Sequence, residues 1–344
     1  MFKKATSSVV PAIVATLLCL PLAACDNNDT KTTTKTSPNP DAPKSQPVAA
    51  ASEKPAVEDP TALLTAKVNY YIECFNHADG SVRDSAERYV SWIDNVATGP
   101  TGKERKVNTL GQIQAYKVES CTKAINQAVK AKPALPALDD AATKYLAELT
   151  TLTPLVSQAN QYYSQEDYKD DGFAKGKEMH QPLMKAFKAF MNASDVYGAE
   201  LEKESSALNA AQLAEIEKTE GRHLAYYRLA LVSQGKDLTM LFDAESPNIN
   251  DVTKAIDAYG ALVAEATTST ANEQDKPIGW SIVLNRAETF LKDSKNLMRR
   301  IRDKTPYSRG DKMMMDAGSG WMVEGSPMKV LKSYNELVQS SNSL

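Results

Sequence analysis

Apolar side chains in this chain recur at alternating steps of four and three residues, and that spacing constrains the fold more than any other feature. Tyr145, Leu149, Leu152, Val156, Ala159 and Tyr163 follow it, as do Leu183, Phe187, Phe190, Ser194, Tyr197 and Leu201. Val283, Ala287, Phe290, Ser294, Leu297 and Ile301 make a third run. A 3.5-residue period is the seam of helices packed at shallow angles, as in long antiparallel bundles. No run of alternating β-branched residues competes with it. The expectation is an all-α, elongated antiparallel bundle over residues 61–344, a single domain with one contiguous core. Asp59-Pro60 has the form of an N-cap followed by proline at the first helical position. Turns are expected at 98–102, 133–136, 170–172, 246–248, 304–306 and 324–327. Between Leu183 and Met240 the pattern pauses only near Ser205-Ser206, which predicts a helix of up to about 90 Å.

The first 60 residues follow other rules. Lys3 and Lys4 precede an apolar stretch from Val9 to Leu22 that is too short to cross a bilayer. It ends in Leu22-Ala23-Ala24-Cys25, small residues directly before a cysteine, which is the lipoprotein form of an export signal. Residues 1–24 are therefore expected to be cleaved and Cys25 to carry the lipid, whose several acyl chains anchor the protein stably. Asp26 in the second mature position favours retention on the periplasmic face of the inner membrane, with the inner leaflet of the outer membrane as the alternative. Residues 26–60 hold six prolines among Thr, Lys, Ser, Asn and Ala. Such a composition cannot offset its ordering entropy, so residues 25–60 are expected to be a flexible tether. Its ends would lie on the order of 30 Å apart, with a reach of roughly 100 Å.

Charge and cysteine usage narrow the partners. Losing Lys3 and Lys4 with the signal reduces 40 basic side chains to 38 against 43 acidic ones. That balance argues against nucleic acid or anionic lipid as a main partner. Cys19 leaves with the signal and Cys25 takes lipid, so Cys74 and Cys121 remain in an oxidising compartment and are expected to pair. Cys121 falls on one helical face with Val107, Leu110, Val118 and Ile125, and Cys74 lies beside the apolar stripe of the first helix.

Catalytic signatures are sparse. His77, His180 and His223 are far apart, none has a second ligand at helical spacing, and each reads as a surface or half-buried histidine. Gly172 to Lys177 falls one residue short of a phosphate loop. A calcium loop aligned on Gly172 would use Asp167, Asp171 and Glu178, but Lys169 occupies a ligand position. Arg299, Arg300 and Arg302 close a helix and make a candidate anion or phospholipid-headgroup site. Met313, Met314, Met315, Met322 and Met328 carry soft sulfur donors for cuprous copper, but without a nearby histidine they read better as packing. The pairs Tyr70-Tyr71, Tyr162-Tyr163 and Tyr226-Tyr227 read as rim residues with buried ring bodies and wet hydroxyls. No cofactor is expected.

As a whole the chain resembles the YiiG-like family of enterobacterial lipoproteins. The resemblance is carried by Thr98-Gly99-Pro100-Thr101-Gly102-Lys103-Glu104-Arg105, by residues 162–177 (YYSQEDYKDDGFAKGK), by residues 299–308 (RRIRDKTPYS) and by Trp321-Met322-Val323-Glu324. It implies a periplasm-facing lipoprotein with a mostly helical domain, and it implies no catalytic residues. Two functions remain: a non-enzymatic envelope protein that binds or scaffolds a partner protein, wall or lipid component, or a wall or envelope hydrolase with an unadvertised carboxylate site.

Overall fold

Asp59 starts the folded chain as its sequence suggests: its carboxylate accepts from the Thr61 amide at 3.0 Å, with Pro60 at the first helical position. The computed structural model describes residues 59–244 and 246–344. The signal, Cys25, Asp26 and the tether proper lie outside them. Among the described residues there are ten α-helices, one 3₁₀ turn and no strand. The helices are α1 (Pro60–Val90), α2 (Ala115–Lys130), α3 (Pro136–Ser164), α4 (Tyr168–Asp171) and α5 (Ala174–Thr219). After these come α6 (Leu224–Asp243), α7 (Ile249–Ser269), α8 (Trp280–Arg302), α9 (Arg309–Asp316), the 3₁₀ turn (Gly320–Met322) and α10 (Pro327–Asn342). None is long and apolar enough to cross a membrane.

The heptad seams are the buried faces. All six seam residues of α3 are buried, and so are the six of α5 and, in α8, Val283 to Leu297, with Ile301 half-buried. Cross-helix bonds fix the antiparallel course. Gln212 of α5 donates to Thr65 of α1 at 3.0 Å, Tyr197 donates to the Tyr71 carbonyl at 2.8 Å, and His180 meets Tyr89. α5 ascends as α1 descends. Further on, Arg286 of α8 pairs with Glu336 of α10 at 2.7 Å, and Tyr227 of α6 donates to Glu265 of α7 at 3.1 Å.

Three expectations need correction. The interior is not one contiguous core but two apolar clusters, one from α1, α2, α3 and α5 and one from the end of α5 with α6, α7, α8 and α10. Both touch α5, whose 46 residues run about 70 Å. Its buried seam lapses between Leu208 and Ile216, where Asn209, Gln212 and Glu215 interrupt the apolar steps, and the core divides there. Secondly, Ser205-Ser206 is no pause. Ser205 donates to the Leu201 carbonyl at 2.7 Å inside an intact helix, and the break falls at 220–223, around Gly221. Thirdly, Val107 and Leu110 are not on the Cys121 helix. α2 begins at Ala115, and Leu110 reaches the core from a long loop whose Gly111 amide donates to Asn160 of α3 at 2.9 Å.

Candidate functional site

Cys74 and Cys121 are bonded to each other, both fully buried, and they join α1 to α2. The expected bridge is present. Around it the first core is laced by polar links. Lys67, with no exposure, pairs with Asp139 of α3 at 2.9 Å and donates to the Ala131 carbonyl at 3.2 Å. Tyr71 donates to the same carboxylate at 2.5 Å. Asp79 accepts from Ser194 of α5 and from Arg83 at 2.7 Å, and Arg83 continues to Asp195 at 3.1 Å. Isolated charges at these depths would cost several kcal/mol each, so each is held in a pair or a network.

Two stretches that are remote in sequence, 98–104 and 162–183, meet at one end of this core. His180 is buried at 1 % exposure, not half-buried as expected. Its Nε2 donates to the Val96 carbonyl at 2.8 Å, which leaves Nδ1 to accept from the Tyr89 hydroxyl at 2.9 Å. Gly99 lies so close that a Cβ there would be 2.6 Å from the imidazole ring. Tyr89, Trp92, Tyr163, Tyr168 and Phe173 pack edge-to-face and tilted around it, with centroids 4.8 to 6.4 Å apart. Glu104 closes the 101–104 turn by accepting from the Thr101 and Gly102 amides at 2.6 and 2.8 Å. These partners also correct the reading of the tyrosine pairs. Tyr71, Tyr162, Tyr163, Tyr226 and Tyr227 are buried, and Tyr71, Tyr162 and Tyr227 donate to Asp139, Asp171 and Glu265.

Beside the aromatic cluster a cleft of about 560 Å³ opens between α3 and α5, with Leu155, Met179 and Leu183 as apolar walls and Asp171, Lys175 and Glu178 as charges. Asp171 is already committed. One oxygen accepts from Tyr162 at 2.7 Å and the other from the Lys175 amide at 3.0 Å, capping α5. Partial desolvation pushes its pKa up, but the bonds from Lys175, Tyr162 and the Phe173 and Ala174 amides outweigh that and hold it below the usual aspartate value. Asp167, Asp171 and Glu178 are thus not brought together as calcium ligands. Lys169 turns instead to Glu166 at 2.5 Å. Among the described residues no group of three or more His, Cys, Asp and Glu side chains is placed to hold a metal ion.

The three arginines at the end of α8 are also employed separately. Arg302 binds Asp303 through two bonds of 2.8 and 3.0 Å, and Arg299 donates to Asn296 at 3.1 Å. Arg300 donates to the Pro306 and Glu324 carbonyls at 3.1 and 3.0 Å and stacks on Tyr307 at 4.3 Å. They form no convergent anion pocket. Sequence reasoning missed Lys67, Asp139 and the Tyr89–His180 pair, whose positions carry no motif and acquire meaning only when α1, α3 and α5 assemble.

Paired helical bundles about a common long helix, stapled by one disulfide, are the class these features define. The chain belongs to the family described as "Protein of unknown function (DUF3829)", whose model matches residues 62–343. It is 35 % identical over 347 residues to the "Uncharacterized protein YiiG" of Escherichia coli (strain K12), covering 97 % of each chain. No solved structure matches it significantly.

Proposed function

We propose that this protein is a lipid-anchored, non-enzymatic binding or scaffold protein of the bacterial envelope, tied to the periplasmic face of the inner membrane through Cys25. The observation that carries the non-enzymatic reading is the use made of buried charge. Lys67, Asp79 and His180 are buried at 0, 5 and 1 % exposure. Each is bonded to another helix, to Asp139, Ser194 and Tyr89 in turn. Groups poised for catalysis would instead meet a cleft with free lone pairs or protons. A carboxylate hydrolase needs two available acids, and of the two in the α3–α5 cleft, Asp171 and Glu178, Asp171 has both oxygens engaged. The Cys74–Cys121 bond supports an oxidising compartment. The Leu22 to Cys25 pattern supports the lipid, and Asp26 the inner membrane.

Three experiments test this. Cys25→Ser should free the protein from salt-washed membranes, and Asp26→Ser should move it toward outer-membrane density. In-cell crosslinking of the wild type should capture a defined envelope protein or wall fragment. Release of soluble products from purified cell wall by the protein would overturn the non-enzymatic reading.

A further inference from the structure

The ends of α8 and α10, with the segment between them, form a cap on the second core whose charge the whole-chain total conceals. Residues 299–312 carry six basic side chains against Asp303 and Asp311, in a chain of formal charge −3. Arg300 ties the cap together by binding both the 304–306 turn and the Glu324 carbonyl, while Tyr307 donates to the Gly325 carbonyl at 2.9 Å. Asp303 is matched by Arg302, Asp311 closes a capping box with Ser308, and Glu324 is held by Asn296 and Lys329. Lys304, Arg309 and Lys312 are exposed and make no ion pair among the described residues.

Apolar side chains stand out beside these charges. Met313 is 63 % exposed, Met322 55 % and Trp321 42 %. The Lys332 ammonium lies 3.8 Å from the centroid of the Trp321 ring. The preceding Gly320 is buried, and a Cβ there would collide with the Met328 sulfur and lie 3.2 Å from Met315 Cγ. The backbone of the 3₁₀ turn is therefore packed on two thioethers, while its indole and the Met322 side chain remain at the surface.

From this arrangement we propose that the cap is a docking surface for an anionic phospholipid bilayer. Tryptophan and methionine enter the headgroup–acyl boundary, and unpaired Lys and Arg around them meet anionic headgroups. The occupant is the membrane itself, not a free anion, because Lys332 stands over exposed Trp321, exposed Lys312 adjoins exposed Met313 on α9, and the α8 arginines are engaged separately. The proposal rests on the reading of Cys25 as the anchor to this extent: the chain between Cys25 and Asp59, with a reach of roughly 100 Å, lets the cap fold back on the bilayer that holds the lipid. The cap would then be a second attachment, setting which face of the bundle looks away from the membrane.

The test uses the full mature chain with Cys25→Ser, so that no acyl chain contributes. It is mixed with vesicles of phosphatidylcholine alone or of phosphatidylcholine with phosphatidylglycerol. Co-sedimentation with the mixed vesicles is expected, with a blue shift of Trp321 emission and loss of binding at high salt. Lys304→Glu/Arg309→Glu/Lys312→Glu should weaken binding by about a hundredfold, and Trp321→Ala/Met322→Ser by about tenfold. Lys144→Glu, at an exposed position of α3, should leave binding unchanged, and unaltered circular dichroism melts show that the variants fold. Absence of binding, equal binding to neutral vesicles, or binding indifferent to the cap substitutions overturns the proposal. So does crosslinking from position 321 to a protein without any vesicle binding. None of these results bears on lipidation, which fractionation of the wild type reads independently.

Discussion

Lys67 illustrates how much depends on single side chains that have no motif. Its ammonium sits at zero exposure against Asp139, with Tyr71 on the same carboxylate. Lys67→Ala strands that carboxylate, and we expect a loss of about 3 kcal/mol in urea unfolding. Lys67→Met/Asp139→Leu should recover most of it, because two apolar groups of similar volume need no partner. Gly99 is the second such position. Its φ of +87° and its contact with the His180 ring leave no room for a methyl group, so Gly99→Ala should cost about 1–3 kcal/mol in the same assay. Neither role is readable from sequence. The tyrosine pairs show why: they read as rims with wet hydroxyls, but the bundle brings Asp139, Asp171 and Glu265 to the hydroxyls of Tyr71, Tyr162 and Tyr227 and makes their burial tolerable.

Helices were far more predictable than their ends. The four-three spacing located the seams of α3, α5 and α8 because shallow packing admits few other periods. Boundaries depended on competing local bonds, as at Ser205, which a neighbouring carbonyl absorbs, and at Leu110, which reaches the core from a loop. The Cys74–Cys121 link between α1 and α2 closes a loop with a sequence separation of 47. Cys74→Ala/Cys121→Ala should lower stability by up to about 4 kcal/mol, and in denatured, unreduced wild type neither Cys74 nor Cys121 should react with a thiol reagent. The start of α5 has an acid-sensitive cap. Asp171 has its pKa depressed, so its contribution is present above the unfolded value near pH ~3.9 and fades as pH falls through the lower folded value. The melting temperature of Asp171→Asn should therefore fall less than that of wild type between about pH 5 and pH 2.

The molecule as a whole departs from its sequence expectation in having two cores about one helix, a division set by the polar residues between Leu208 and Ile216. Calorimetry should resolve two transitions, and the double cysteine variant should lower only the one that belongs to α1, α2, α3 and the first part of α5. A single transition displaced as a unit would show that α5 transmits unfolding across the gap. Each core is also built from consecutive residues, 68–208 and then 216–338. Such a chain suits vectorial delivery through a narrow pore. The first core contains both members of its disulfide and the helices that pack it, α1, α2, α3 and most of α5, so it can complete itself without the second, and the end of α5 then offers a template on which the remainder condenses.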